Sequence, residues 1–96
     1  MANRIVGNIY ILDTNTSNLT FPNTMKITNV ALYGIDTTSR LILTYAATTT
    51  DVIFALANQS HFPGNVEIHM GGDGFYVNEQ LRVQSLVAGT GYIYFV

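Results

Sequence analysis

The chain is 96 residues long, and 48% of them are hydrophobic while only 10% are charged, against about 25% charged in an ordinary soluble domain. Three Arg and one Lys are scattered at positions 4, 26, 40 and 82 within a net charge of −2, which leaves no basic footprint for a nucleic-acid backbone. The absence of Cys excludes disulfides and thiolate metal sites, and no apolar run approaches the ~18–20 residues of a membrane-crossing helix.

A chain of this length closes one core, so residues 1–96 are read as a single domain. The start, MANRIVGNIYIL, lacks the charged, apolar and small-residue succession of a secretion signal. The expectation is therefore a protein made in a cytoplasm. Arg4–Leu12 reads as one strand, with Ile5, Gly7, Ile9 and Ile11 in one phase and Val6, Asn8, Tyr10 and Leu12 in the other. Both phases are apolar, which places the strand centrally or under cover, and Gly7 marks a bulge or a close backbone approach. Asp13–Asn18 is a polar loop of turn formers. Leu19-Thr20-Phe21 follows as a short strand that Pro22-Asn23 stops, as at a sheet edge.

Residues 25–47 hold two β-branched, apolar runs, Ile27–Ile35 and Leu41–Tyr45, with Asp36-Thr37-Thr38-Ser39-Arg40 between them. Strand, short Asp/Thr/Ser loop, strand is the pattern of a β-hairpin. Val30 and Leu32 share one face of its first strand, and Ala31, Tyr33 and Ile35 the other. In the second strand Leu41, Leu43 and Tyr45 oppose Arg40, Ile42 and Thr44.

Val52–Ala57 is a further strand with Val52, Phe54 and Leu56 on one face. Asn58–Asn65 is a loop punctuated by Pro63-Gly64, and Val66–Met70 alternates with Glu67 and His69 outward. Gly71-Gly72-Asp73-Gly74 turns into Phe75–Val77. Leu81–Val87 then points Leu81, Val83 and Val87 inward and Arg82 and Gln84 outward. Ala88-Gly89-Thr90-Gly91 reads as the turn into Tyr92–Val96, a terminal strand apolar on both faces. About eight short strands at even spacing, with no helical periodicity, predict an all-β fold: a single small β-sandwich, jelly-roll or Greek-key-like. Its expected interior includes Ile9, Ile11, Leu32, Leu43, Phe54, Ile68 and Val83.

Few residues carry chemistry. His61 and His69 are the two imidazoles, and Glu67 shares a strand face with His69, so a metal or acid/base pair is sterically allowed. A cupin-type centre needs two His one residue apart plus a further Glu and His, which this spacing does not supply. The ordinary reading is a solvated polar face. Asp73 stands alone among its glycines, without the alternating oxygen ligands of a calcium loop or the lysine of a phosphate loop. Asn15, Asn18 and Asn58 open glycosylation-type triplets that chance explains in an Asn/Thr-rich chain. No nucleophile elbow surrounds any of the four serines. The expectation is no enzyme, no cofactor and no metal.

The aromatic residues remain. Tyr76, Tyr92 and Tyr94 are candidates for a sugar-stacking platform, and the alternative function is a carbohydrate-binding β-module or an adhesion protein that takes a glycan partner. Tyrosine more often serves core or interface, where it combines large contact area with a polar tip. Strands apolar on both faces, in a chain with so little charge, call for burial against neighbours. Tyr10, Tyr33, Tyr92 and Tyr94 are therefore the candidate oligomer interface.

The segments GNIYILDT at 7–14, LTFPNTM through LILT at 19–44, TTDVIFAL at 49–56 and VAGTGYIYFV at 87–96 resemble, in style and pattern, the small all-β virion proteins of tailed bacteriophages, the head-decoration or cement class. That resemblance implies a non-enzymatic structural virion protein, made in the host cytoplasm and located on the particle. It further implies a homo-oligomer, often a trimer, whose other partner is a major capsid or tail protein rather than nucleic acid or membrane. It carries over no catalytic residue.

Overall fold

The computed structural model describes residues 3–19, 25–46, 52–57, 65–70, 74–77 and 80–96. Period-2 alternation and β-branched runs produce strands throughout, in two antiparallel sheets. The strands are β1 (Arg4–Val6), β2 (Ile9–Leu12), β3 (Thr16–Leu19), β4 (Met25–Gly34) and β5 (Arg40–Tyr45), then β6 (Val52–Ala57), β7 (Asn65–His69), β8 (Phe75–Val77), β9 (Leu81–Val87) and β10 (Gly89–Phe95). A six-stranded sheet runs β1-β2-β10-β4-β7, with β8 also on β4, and a four-stranded sheet runs β3-β9-β5-β6. With β1 and β8 set aside, eight strands remain, and every connection between them except β5–β6 crosses from one sheet to the other. That wrapping is the jelly roll.

Between the sheets lie Leu12, Leu19, Ile27, Val30, Leu32, Leu41, Leu43, Leu81, Val83 and Ile93, all essentially without solvent contact, with Tyr10, Leu56 and Phe95 beside them. Each such aliphatic side chain contributes about 1.5–3 kcal/mol by leaving water. Gly91 sits in this layer between the rows of β2 and β4. A Cβ there would come within 2.9 Å of Leu41 Cδ2 from the other sheet and 3.3 Å of Leu12. Its missing side chain lets the two sheets approach.

Several local expectations differ from what is found. Arg4–Leu12 is not one strand but a hairpin whose two-residue turn is Gly7-Asn8, with Val6 opposite Ile9. Gly7 has φ of 60°, as the first turn position of a II′ hairpin requires. Within β2 the core side chains are Tyr10 and Leu12, while Ile9 and Ile11 lie on the outer side, half-buried. With both phases apolar, the alternation had no preferred side.

The segment 25–47 is not a hairpin either. β4 pairs with β10, β7 and β8, and β5 pairs with β9 and β6, so Asp36–Ser39 is a crossing between sheets. Buried Ser39 holds that crossing. Its Oγ accepts from the backbone N–H groups of Ile35 (3.0 Å) and Asp36 (3.2 Å) and donates to the carbonyl of Ala88, itself at φ 53°. Ala88 alone links β9 to β10, where a four-residue turn was expected.

β3 begins at Thr16, inside the expected loop, and residues 20–24 lie outside the described residues. Four ladders shift register. Phe95 faces Ile27 while Tyr94 faces Asn29, so both Ile27 and Val30 reach the core. Val83 faces Leu43 while Ser85 faces Ile42, which turns Leu86 rather than Val87 toward the interior. Phe54 and Ile68 are half-buried and packed against the core, because β6 and β7 are edge strands.

Candidate functional site

Residues directly opposite in an antiparallel ladder share a face, so the registers place the outer surface of the six-stranded sheet row by row. One row reads Arg4, Ile11, Tyr92, Ala31, Glu67 across β1, β2, β10, β4 and β7. The next reads Val6, Ile9, Tyr94, Asn29, His69. Beyond the first lies Thr90 opposite Tyr33. The middle of the sheet is thus aliphatic and aromatic, and ionisable groups stand at its margins.

At the β1 margin the Arg4 guanidinium pairs with Asp13, and Asn3 Oδ1 accepts from the N–H groups of Asp13 (2.6 Å) and Thr14 (2.9 Å). At the β7 margin His69 Nε2 lies 2.5 Å from Glu67 Oε1, and its Nδ1 lies 3.1 Å from Asn29 Nδ2. An amide donating to Nδ1 leaves the proton on Nε2, which donates to the carboxylate. The sequence placed Glu67 and His69 together; Asn29 joins them only through the β4–β7 ladder, a pairing between segments 40 residues apart that no local signal announces. Lys26 Nζ stands 5.4 Å from the ring centroid of Tyr76, the middle residue of β8, within cation–π range.

The four tyrosines assigned to an interface separate here. Tyr33 is outward and 52% exposed, and Tyr92 and Tyr94 are outward and half-buried among the aliphatic residues of the same rows. Tyr10 is a core residue instead, opposite Ile5 and Ile93 on the inner phase of β2. Tyr76, the third residue of the considered sugar platform, lies at the far end beside Lys26.

Glu67 and His69 supply an acceptor and an imidazole on an exposed strand, with no hydroxyl or thiol in the described contacts for them to activate. No group of three or more His, Asp or Glu able to hold a metal occurs among the described residues. His61, Asp73 and the Asn58 triplet lie outside the described residues. No helix of the described residues is long and apolar enough to cross a membrane. Compared with family models, with curated proteins and with solved structures, the chain matches none.

Proposed function

We propose that this protein is a non-enzymatic structural component of a virion, a decoration or cement protein that works as a homo-oligomer. One observation carries the assembly half of the reading: the continuous aromatic and aliphatic outer face formed by Val6, Ile9, Ile11, Tyr92, Tyr94, Ala31 and Tyr33 on the six-stranded sheet. Contiguous apolar surface on a small domain marks an interaction site, and tyrosine is enriched in the centres of such contacts. The charged groups at its margins are paired within the protomer, Arg4 with Asp13 and Glu67 with His69, so the middle of the face is left to apolar contact. The jelly roll is a frequent architecture of viral coats and also of lectins, so the fold supports the virion half by analogy alone.

Light scattering on the purified chain tests assembly. The expected mass is a multiple of the 10.6 kDa protomer, and Tyr92→Asp or Tyr94→Asp returns it to one protomer, because an unpaired carboxylate does not tolerate burial. A monomer at high concentration that ignores both substitutions defeats the reading. Sedimentation of the tagged chain with the particle made by the genome that encodes it tests location.

A second reading, glycan binding, is favoured by the sequence of partners Tyr94, Asn29, His69 and Glu67 along one row and its neighbour. An aromatic face beside hydrogen-bonding side chains is what a sugar ring stacks on and bonds to. A glycan array distinguishes the two.

A further inference from the structure

The four-stranded sheet is interrupted twice at one level of β5. Across β5–β9, Ile42 faces Ser85 while Leu43 faces Val83, so Gln84 is an extra residue. Across β5–β6, Leu43 faces Phe54 while Thr44 faces Val52, so Ile53 is an extra residue. The two irregularities therefore meet at Leu43 from either side of the same strand. A bulge withdraws its extra residue from the ladder and leaves backbone groups there unpaired.

Two polar atoms lie at this level. Among the described residues, Thr44 Oγ1 and Gln84 Oε1 are the buried side-chain oxygens that meet no hydrogen-bond partner within the chain. Thr44 is fully buried and Gln84 is half-buried. The registers bring them together. Thr44 faces Arg82, so Gln84, two residues on, is its diagonal neighbour. Diagonal positions lie about 7–8 Å apart, within reach of a long side chain. The two also share a side of the sheet. Val83 and Leu86 point into the core, which leaves Gln84 and Ser85 to the outer side. There Ser85 faces Ile42, and Thr44 is next in phase.

We propose that this bulge is a binding site for one internal water molecule, which bridges Thr44 Oγ1 and Gln84 Oε1 in each protomer. A buried polar atom that has given up its bonds to bulk water costs stability unless something replaces them. Buried waters serve atoms of this kind and make about three hydrogen bonds each. The bridge supplies two, and the backbone freed at Gln84 is at hand for the third. Water and a hydroxyl each donate and accept, so the bridge closes whichever end of the Gln84 amide is turned inward. The occupant is a water rather than a partner's surface because the protomer's own chain already closes off both oxygens. This site lies on the sheet opposite the tyrosine face and does not depend on the assembly proposed above.

Oxygen-17 relaxation dispersion of the solvent counts long-lived waters and is blind to exchanging hydroxyl protons. Thr44→Val keeps the shape of the side chain and removes its hydroxyl, and Gln84→Met keeps the length and removes the amide. Each variant is expected to lose one long-lived water per protomer, and the double variant to lose the same single water. Thr44→Ser, which restores the hydroxyl, should retain it. An unchanged dispersion amplitude in both single variants overturns the proposal, since the two oxygens then hold no water. Loss in only one of them, or loss of two waters in the double variant, overturns the bridge, since the oxygens then do not share a water. If neither variant folds, the amide protons of Thr44 and Gln84 in the unsubstituted chain decide. A nuclear Overhauser effect from solvent, with the sign of a bound water, is expected there, and its absence at both overturns the proposal.

Discussion

On the outer face of the six-stranded sheet, the central strand β10 presents Tyr92 and Tyr94, and its neighbours add Ile9, Ile11 and Ala31. On the outer face of the four-stranded sheet, the central strand β5 presents Arg40 and Ile42, flanked by Ala55, Ala57 and Ser85. There Arg40 donates to Ser85, and the side chains beside Ile42 are short. Thr44, next in phase, is fully buried where both ladders of β5 shift register. In sequence β10 is apolar on both sides, whereas β5 sets Leu41 and Leu43 against Arg40, Ile42 and Thr44. The difference is that β5 alternates toward small and polar groups that water covers well, whereas β10 alternates toward rings it covers badly. One face asks for a partner and the other does not.

The two faces share one core, and damage to it should remove both. Leu43 is fully buried in β5, opposite Phe54 on one side and Val83 on the other. Leu43→Ala should cost about 2–5 kcal/mol in urea or thermal unfolding, the largest effect expected here. A cost below ~1 kcal/mol would mean that the sheets do not depend on this contact.

A sharper test compares like with like. Ile42 and Tyr92 are both outward and half-buried on central strands. Ile42→Asp should leave the oligomer mass unchanged in light scattering, with destabilisation in the usual range of about 0.5–3 kcal/mol, while Tyr92→Asp dissociates it. Equal dissociation by both would erase the distinction between the faces.

How much of this was legible in the residues depended on whether the two phases of a strand differed. In β5, Leu41 and Leu43 against Arg40 and Ile42 gave the correct inward side. In β2 the competing sets were Ile9 and Ile11 against Tyr10 and Leu12, both apolar, and the inward one is the set with the tyrosine. Tyr10 thereby left the candidate interface, while Tyr33, Tyr92 and Tyr94 stayed outward. Sheet membership was hidden for another reason. A five-residue polar loop closes a hairpin or crosses a sandwich with the same turn chemistry, and only the non-local ladders of β4 with β10 and of β5 with β9 decide which. Glu67 and His69 were readable as a pair because they are two residues apart; Asn29 was not, because its approach depends on that same long-range pairing.

The smallest expected effect lies in the crossing that joins the two sheets, remote from both faces. Asp36 Oδ1 accepts from the hydroxyl of Thr38 (2.6 Å) and from its backbone N–H (2.8 Å). The side-chain bond, and after it the backbone bond, holds the carboxyl below its ordinary value, with a slight opposing contribution from desolvation. A depressed folded-state value means that the ionised form favours the fold. The contribution is therefore present above the unfolded-state value and lost as pH falls through the folded one, in the acid range below the normal carboxylate titration. Asp36 is exposed, so screening keeps the effect small. Thr38→Val removes the hydroxyl but keeps the backbone donor. In an NMR titration it should move the Asp36 midpoint upward, part of the way to the ordinary value, with the oligomer mass unaltered. A midpoint that stays where it was would mean that the hydroxyl does not set it, and a change in mass would mean that the crossing is not independent of the faces.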